Sequence, residues 1–185
     1  AKIADRESTV LERLDLSPKQ FVLVTIHRAE NTDDPEVLKS IFHSLAEVAA
    51  TMPVVLPLHP RTRKALEHIG LLQFATEHLR VCEPLGYLDM TKLEAAAAVV
   101  ATDSGGVQKE AFFHGVPCVT LRTETEWVEL VELGWNTICS PETGDVAKTI
   151  LAASPPATNT DRPYGNGNAS RLIAGHIAGR LQIHG

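Results

Sequence analysis

Polar residues with chemical capacity stand directly behind five apolar runs of this sequence. His27-Arg28-Ala29-Glu30-Asn31 follows Phe21–Ile26, and His59-Pro60-Arg61 follows Val54–Leu58. Glu83-Pro84-Leu85-Gly86-Tyr87 follows Leu79–Cys82, Asp103-Ser104-Gly105-Gly106 follows Ala98–Thr102, and Arg122-Thr123-Glu124-Thr125-Glu126 follows Pro117–Leu121. The Asp-Ser-Gly-Gly string has the makings of a site for phosphate oxygens. Glycines admit close backbone approach, and a helix that follows offers unpaired N–H groups and the positive end of its dipole. The Ser104 hydroxyl would add a donor; alternatively, Ser104 or Asp103 only caps the helix. The string is neither a GxxxxGK[ST] loop nor a GxGxxG fingerprint.

Glu110 falls near the end of the second turn of that helix, where a carboxylate could accept from a ribose diol or simply lie on a solvated face beside Lys109. Arg122 would bring a fixed positive charge to a phosphate or a hydroxyl-rich ligand, or be an ordinary surface arginine. His27 and His59 each follow an apolar strand, a place where histidine also serves as a hydrogen-bonded structural residue. His27 is the better catalytic candidate, because Arg28 and Glu30 accompany it and imidazole titrates near ~6.5. No HExxH-like spacing supports a metal site.

These groups need a scaffold that carries them to one place. Asn136–Cys139 makes a sixth apolar run, and several of the six are nearly continuous in apolar residues, as strands buried on both faces are. Helical spacing fills the intervals at Pro35–Ala50, Thr62–Ile69, Tyr87–Ala97, Gly106–His114, Thr125–Leu133, Asp145–Ala153 and Ser170–Gln182. This alternation predicts a doubly wound, Rossmann-like α/β domain: a parallel sheet of about six strands with helices on both faces. Right-handed crossovers would then set all five polar segments along the carboxyl edge of the sheet, where open parallel sheets bind ligands. The chain reads as a single domain over 1–185. Residues 1–19 form its start or an interdomain segment. Residues 154–185 form a long surface connection and a terminal helix that packs toward another domain.

The bulk properties suit such a domain. The 185 residues are enough to bury a core without disulfides or metals, and 44% hydrophobic with 22% charged residues is ordinary for a globular chain. A net charge of −6 argues against a general nucleic-acid binder. The three cysteines, Cys82, Cys118 and Cys139, lack CxxC spacing and read as buried free thiols. No apolar stretch approaches the ~20 residues needed to span a bilayer, and the start lacks a signal-peptide core, so a cytoplasmic protein is expected.

In order along the chain, the motifs resemble a known family. Thr25-Ile26-His27-Arg28-Ala29-Glu30-Asn31 resembles the T-x-H-R-x-E-N string of the non-hydrolysing UDP-N-acetylglucosamine 2-epimerases, and Asp103–Ala111 is similar to their D-S-G-G-x-Q-x-E-A segment. Gly115–Arg122, Thr125–Glu129 and Pro163–Ala169 match as well. The resemblance implies the carboxyl-terminal half of a glycosyltransferase-B type fold, with a UDP-sugar held between two halves. It implies Ser104, Gly105 and Gly106 at the diphosphate, Glu110 at the ribose, and the backbone of Leu85-Gly86-Tyr87 at uracil. It places His27 in catalysis near the departing UDP, with Arg28, Glu30, His59 and Arg122 in the substrate-binding set. The implied reaction is loss of UDP across C1–C2 and its re-addition with C2 inverted. Neither a redox cofactor nor a metal is implied; a homodimer of the complete protein is.

Two departures stand out. Where the family often has T-E-R-P-E, this chain reads Thr125-Glu126-Trp127-Val128-Glu129, which resembles the branch acting on further-modified sugars such as diacetamido uronic acids. The amino-terminal domain in which the family keeps its catalytic carboxylates has no counterpart in these 185 residues. The competing readings are a glycosyltransferase of the same architecture and a UDP-sugar binding module without chemistry; the His-Arg-x-Glu-Asn string favours the epimerase.

Overall fold

A computed structural model of the chain describes residues 2–157 and 163–182. Six strands form one sheet: β1 (Val22–Thr25), β2 (Val54–Pro57), β3 (Arg80–Cys82), β4 (Val99–Thr102), β5 (Cys118–Thr120) and β6 (Asn136–Ile138). All five pairings are parallel and the order is β3-β2-β1-β4-β5-β6. The order reverses between β1 and β4, and a crevice opens there beyond the carboxyl ends of the strands.

Side-chain alternation divides the strands between two apolar layers. Val22, Val24, Val54, Leu56, Val99, Ala101 and Val119 face one core, while Leu23, Val55, Val100 and Cys118 face the other. The first layer is covered by α4 (Pro35–Ala49), α5 (Pro60–His68), α6 (Leu72–His78) and α10 (Val146–Ala152). The second is covered by α2 (Val10–Arg13), α7 (Tyr87–Ala96) and α8 (Gly105–Phe113). The elements α1 (Lys2–Glu7), α3 (Ala29–Thr32), α9 (Val128–Glu132) and α11 (Ala169–Gln182) complete the chain.

Local chemistry sets the longest core helix. Pro35 occupies the first turn of α4, and Asp34 caps it by accepting from the Glu36 and Val37 N–H groups. Val37, Leu38, Ile41, Phe42, Leu45 and Val48 then make one buried stripe. At the far end of α8, Gly115 has φ +66, a left-handed turn that suits glycine. The Val116 N–H reaches the Ala111 carbonyl and the Gly115 N–H that of Phe112, which closes the helix and turns the chain into β5.

All six predicted strands are present. The predicted helix at Thr125–Leu133 is corrected to Val128–Glu132, because Thr125 and Trp127 direct their polar groups to α8 instead. The helix predicted from Thr62 begins at Pro60, and the amino-terminal segment holds two short helices. The short helices α3 and α6 add to the expected set. Of the predicted connection 154–169, residues 158–162 lie outside the described residues. Among the described residues, no helix is long and apolar enough to cross a membrane.

Glu94 on α7 is a buried carboxyl, 3% exposed, and burial, reinforced by Glu110, pushes its pKa from the ordinary 4.5 up to about 8. Between these values the folded chain keeps a proton that the unfolded chain releases. This contribution to stability is full below pH 4.5 and is lost as pH rises towards 8, by at most ~1.4 kcal/mol per pH unit. Glu94→Gln removes the ionisation, so its melting temperature should fall less than that of the wild type between pH 5 and about 8. Parallel melting curves across that range would show that Glu94 is not protonated in the folded chain.

Candidate functional site

The crevice between β1 and β4 is tied together by one buried carboxylate. Asp103, just past β4, is wholly buried. It accepts from the His27 N–H at 3.0 Å, the Arg28 N–H at 2.9 Å and the Asn31 side-chain amide at 3.1 Å. Asn31 Nδ2 also donates to the Leu121 carbonyl at 3.0 Å, so the ends of β1, β4 and β5 share one network. A second link joins the Thr25 and Thr102 hydroxyls at 2.6 Å, and the Thr102 hydroxyl accepts from the Ser104 N–H at 2.9 Å. Asp103 thus has three donors and both hydrogens of the Asn31 side-chain amide have acceptors, so these strand ends are cross-linked by hydrogen bonds.

The His27 ring leaves this network towards the crevice. Its Nδ1 lies 3.3 Å from Asp103 Oδ1, and its side chain is 40% exposed. The His59 ring stands 5.4 Å away, centre to centre. His59 Nδ1 accepts from the Arg61 N–H at 3.1 Å and so caps α5. His59 therefore has the structural role that the sequence left open, and still presents its ring to the site. His27, His59 and Ser104 are polar groups at the wall of a cavity of about 200 Å³. Its apolar wall includes Ile26, Pro57, Pro84, Leu85, Met90 and Val107. Such a mostly apolar cavity with a few convergent polar groups is the usual form of a small-ligand site.

Ser104 precedes α8 in an extended conformation, but its side chain makes no capping bond to the helix, and Asp103 is occupied by the segment that follows β1. Neither residue is the cap that the sequence allowed. The first turn of α8, with Gly105 and Gly106, is thus left without a side-chain cap beside the cavity.

Four charges gather over this helix start. The Arg122 guanidinium is buried, with the residue only 7% exposed, which excludes the surface-arginine reading. Its Nη1 donates to both Glu126 carboxylate oxygens at 2.9 Å, while its Nε, 3.7 Å from Glu30 Oε2, makes no hydrogen bond. Arg28 Nη2 stands 3.6 Å from Glu126 Oε1. Hydrogen bonding from Arg122 holds the Glu126 carboxyl below the ordinary carboxylate range. Glu126 Oε2 and Trp127 Nε1 lie 3.4 and 3.6 Å from where a side chain on Gly105 would begin, and Trp127 Nε1 donates to the Gly105 carbonyl at 2.7 Å.

The other expected residues spread more widely. Gly86 precedes α7 as its amino-terminal boundary, and Tyr87, in its first turn, is 74% exposed, so only Leu85 of that trio lines the cavity. Glu110 is half-buried on α8, three residues beyond Val107, and burial raises its pKa; it is not among the cavity-lining residues. Arg28, Glu30 and Arg122 belong to the charged cluster rather than to the cavity. Asp103, Glu126 and the Trp127 indole are the residues that sequence reasoning missed. Gln108 is a buried structural link, whose Oε1 accepts from Thr125 and from Asn136. Lys109 lies between the Trp127 and Tyr164 rings, at 4.3 and 4.2 Å. Among the described residues, no three His, Cys, Asp or Glu side chains converge as a metal site requires.

Comparison with known proteins gives this arrangement its context. The chain is 47% identical over 160 residues to the UDP-2,3-diacetamido-2,3-dideoxy-D-glucuronate 2-epimerase of Pseudomonas aeruginosa, covering 85% of this chain and 44% of that protein. It is 41% identical over 173 residues to a UDP-N-acetylglucosamine 2-epimerase homolog of Methanococcus maripaludis, covering 92% and 48%. The crystal structure of the Methanocaldococcus jannaschii UDP-GlcNAc 2-epimerase in complex with UDP-GlcNAc and UDP superimposes with a TM-score of 0.82 and 34% identity, covering all of this chain and 51% of the other. The chain thus spans about half the length of the relatives it matches. The family model described as UDP-N-acetylglucosamine 2-epimerase matches residues 1–178, and the chain belongs to that family.

Proposed function

We propose that this chain is the nucleotide-binding half of an enzyme that inverts C2 of a UDP-2-acetamido sugar. The observation that carries the reading is the first turn of α8. It has two glycines and no side-chain cap, and it opens beside a cavity lined by His27, His59 and Ser104. The N–H groups of that turn, with the Ser104 hydroxyl, suit the diphosphate. Glu110 one turn along suits the ribose, and the apolar wall around Leu85 suits uracil. Arg28, Glu30 and Arg122 border the same helix start.

In the reaction proposed, a base takes the C2 proton while the C1–O bond breaks and its electron pair leaves with UDP. UDP then adds back to C1, and a proton reaches C2 from the opposite face. His27 assists at the departing phosphate. The C2 acid–base groups come from a second, amino-terminal domain, as in a glycosyltransferase-B architecture. The terminal helix α11, whose Leu172, Ile173 and Ile177 are exposed, packs towards that domain. The complete protein is a cytoplasmic homodimer in this reading, acting in polysaccharide biosynthesis.

The Trp127 variant and the 47% identity to a diacetamidoglucuronate epimerase favour a 2,3-diacetamido uronic acid sugar over UDP-N-acetylglucosamine itself. The test is to incubate the complete enzyme with each UDP-sugar in D₂O and follow C2 by NMR. Inversion with deuterium at C2, faster for the uronate, supports both parts of the reading. Transfer of the sugar to an acceptor without inversion would replace the epimerase by a glycosyltransferase. A narrower expectation concerns binding alone: Ser104→Ala should weaken UDP binding to this chain by about 1 kcal/mol, the worth of one hydrogen bond. Unchanged affinity by calorimetry would remove the Ser104 hydroxyl from the site.

A further inference from the structure

We propose that Asp103 is a positioning residue for His27, holding the ring by its Nδ1–H so that Nε2 is the nitrogen offered to the ligand. The proposal rests on the catalytic reading of His27. Asp103 is wholly buried, and an ionised carboxylate only accepts hydrogen bonds. Three donors, the His27 and Arg28 N–H groups and the Asn31 side-chain amide, converge on it, chiefly on Oδ2. Oδ1 takes a longer share of the His27 N–H at 3.1 Å and also lies 3.3 Å from His27 Nδ1, at ion-pair distance. An acceptor-only oxygen at that nitrogen selects the ring form with the proton on Nδ1.

The neighbouring ring is in the opposite condition. His59 Nδ1 accepts from the Arg61 N–H, so its proton resides on Nε2. Two histidines 5.4 Å apart at the same cavity are thereby fixed in opposite tautomers by two different partners. The backbone bonds to Asp103 place the His27 main chain, and the ring contact orients its side chain. When His27 is protonated, the same carboxylate supports the cation, and the Nε2 proton is the one available to the departing phosphate oxygen. When UDP adds back, that proton returns to Nε2, so the ring ends as it began. Asp103 itself gains and loses no proton.

The test reads the tautomer directly, without substrate. Long-range ¹H–¹⁵N spectra of the 185-residue chain are recorded at alkaline pH, where imidazole is neutral. The His27 signals are identified by their loss in His27→Gln, and His59 provides the Nε2–H reference. The expected result is an Nδ1–H tautomer for His27, against the Nε2–H preference of free histidine. In Asp103→Asn the side-chain carbonyl must serve the three donors, which turns the NH₂ towards His27 Nδ1 and converts the ring to Nε2–H. Nε2–H in the wild type, or Nδ1–H persisting in a folded Asp103→Asn, would overturn the proposal. Should the variant fail to fold, the wild-type tautomer alone decides.

In the complete enzyme, Asp103→Asn is expected to lower kcat about tenfold or more with KM changed less than about threefold, as for a catalytic histidine in the wrong tautomer. Unchanged kcat beside an inverted tautomer would equally overturn it. Failure of the His27 role shows separately, as normal turnover in a variant lacking the ring, whatever the tautomer.

Discussion

His27→Ala, made in the complete enzyme, is expected to lower kcat about 10²–10⁴-fold while UDP affinity and melting temperature change little. The three readouts separate because they depend on different groups. In the proposed reading, nucleotide affinity rests on the first turn of α8 and on the apolar wall around Leu85, to which His27 adds only a polar neighbour. Stability is also largely independent of the ring. The His27 side chain is 40% exposed, so alanine opens no core cavity, and its main-chain N–H keeps Asp103 as partner. In the proposed mechanism, alanine removes a donor whose contribution grows as charge develops on the departing phosphate, an interaction stronger in the transition state than in the ground state. Near-normal turnover with a fallen melting temperature would reduce His27 to a structural residue.

The second large effect is expected at Gly105. A side chain there begins 3.4 Å from Glu126 Oε2 and 3.6 Å from Trp127 Nε1, so alanine would only touch these groups. Valine adds two branches beyond that point. They push on the indole whose N–H holds the Gly105 carbonyl at 2.7 Å, and they cover the backbone that should meet phosphate oxygens. Losing two charge-assisted hydrogen bonds amounts to about 3 kcal/mol, or about 100-fold in UDP affinity. Equal affinity of Gly105→Val and the wild type would place the nucleotide elsewhere on the molecule.

Much of this architecture was legible in the sequence because strands buried on both faces leave unbroken apolar runs. Val54–Leu58 and Ala98–Thr102 are such runs, and their polar sequels had to reach the carboxyl edge. The helix α6 was missed because its seven residues bury only Ala75, which leaves no stripe to read. The start of α9 was placed three residues early because Thr125-Glu126-Trp127 is compatible with a helix. Only the fold reveals that Thr125 bonds Gln108 and that the Trp127 indole bonds Gly105.

Long-range pairing also hid the central carboxylate. Asp103 beside Ser-Gly-Gly has the look of a helix cap, and nothing local tells that its acceptors serve residues 72 to 76 positions earlier. Its contact with Asn31 gives the His-Arg-x-Glu-Asn string a physical reason: the first residue faces the cavity, and the last anchors the turn. Arg122 stands at the carboxyl edge as its place after β5 requires, but its burial is not legible locally: beside Glu126, four residues on, it lies near Glu30 from the distant segment after β1.

Whether the nucleotide binds where α8 begins, beside the crevice between β1 and β4, is decided by titrating UDP into the ¹⁵N-labelled 185-residue chain and following every backbone amide. The largest shifts are expected at Ser104, Gly105, Gly106 and Val107, with a second group at Leu85, Gly86 and Tyr87. Neither group should move to the same extent with phosphate-free uridine. Shifts confined to any other edge of the sheet, or none at about millimolar UDP, would contradict a diphosphate site at this helix start.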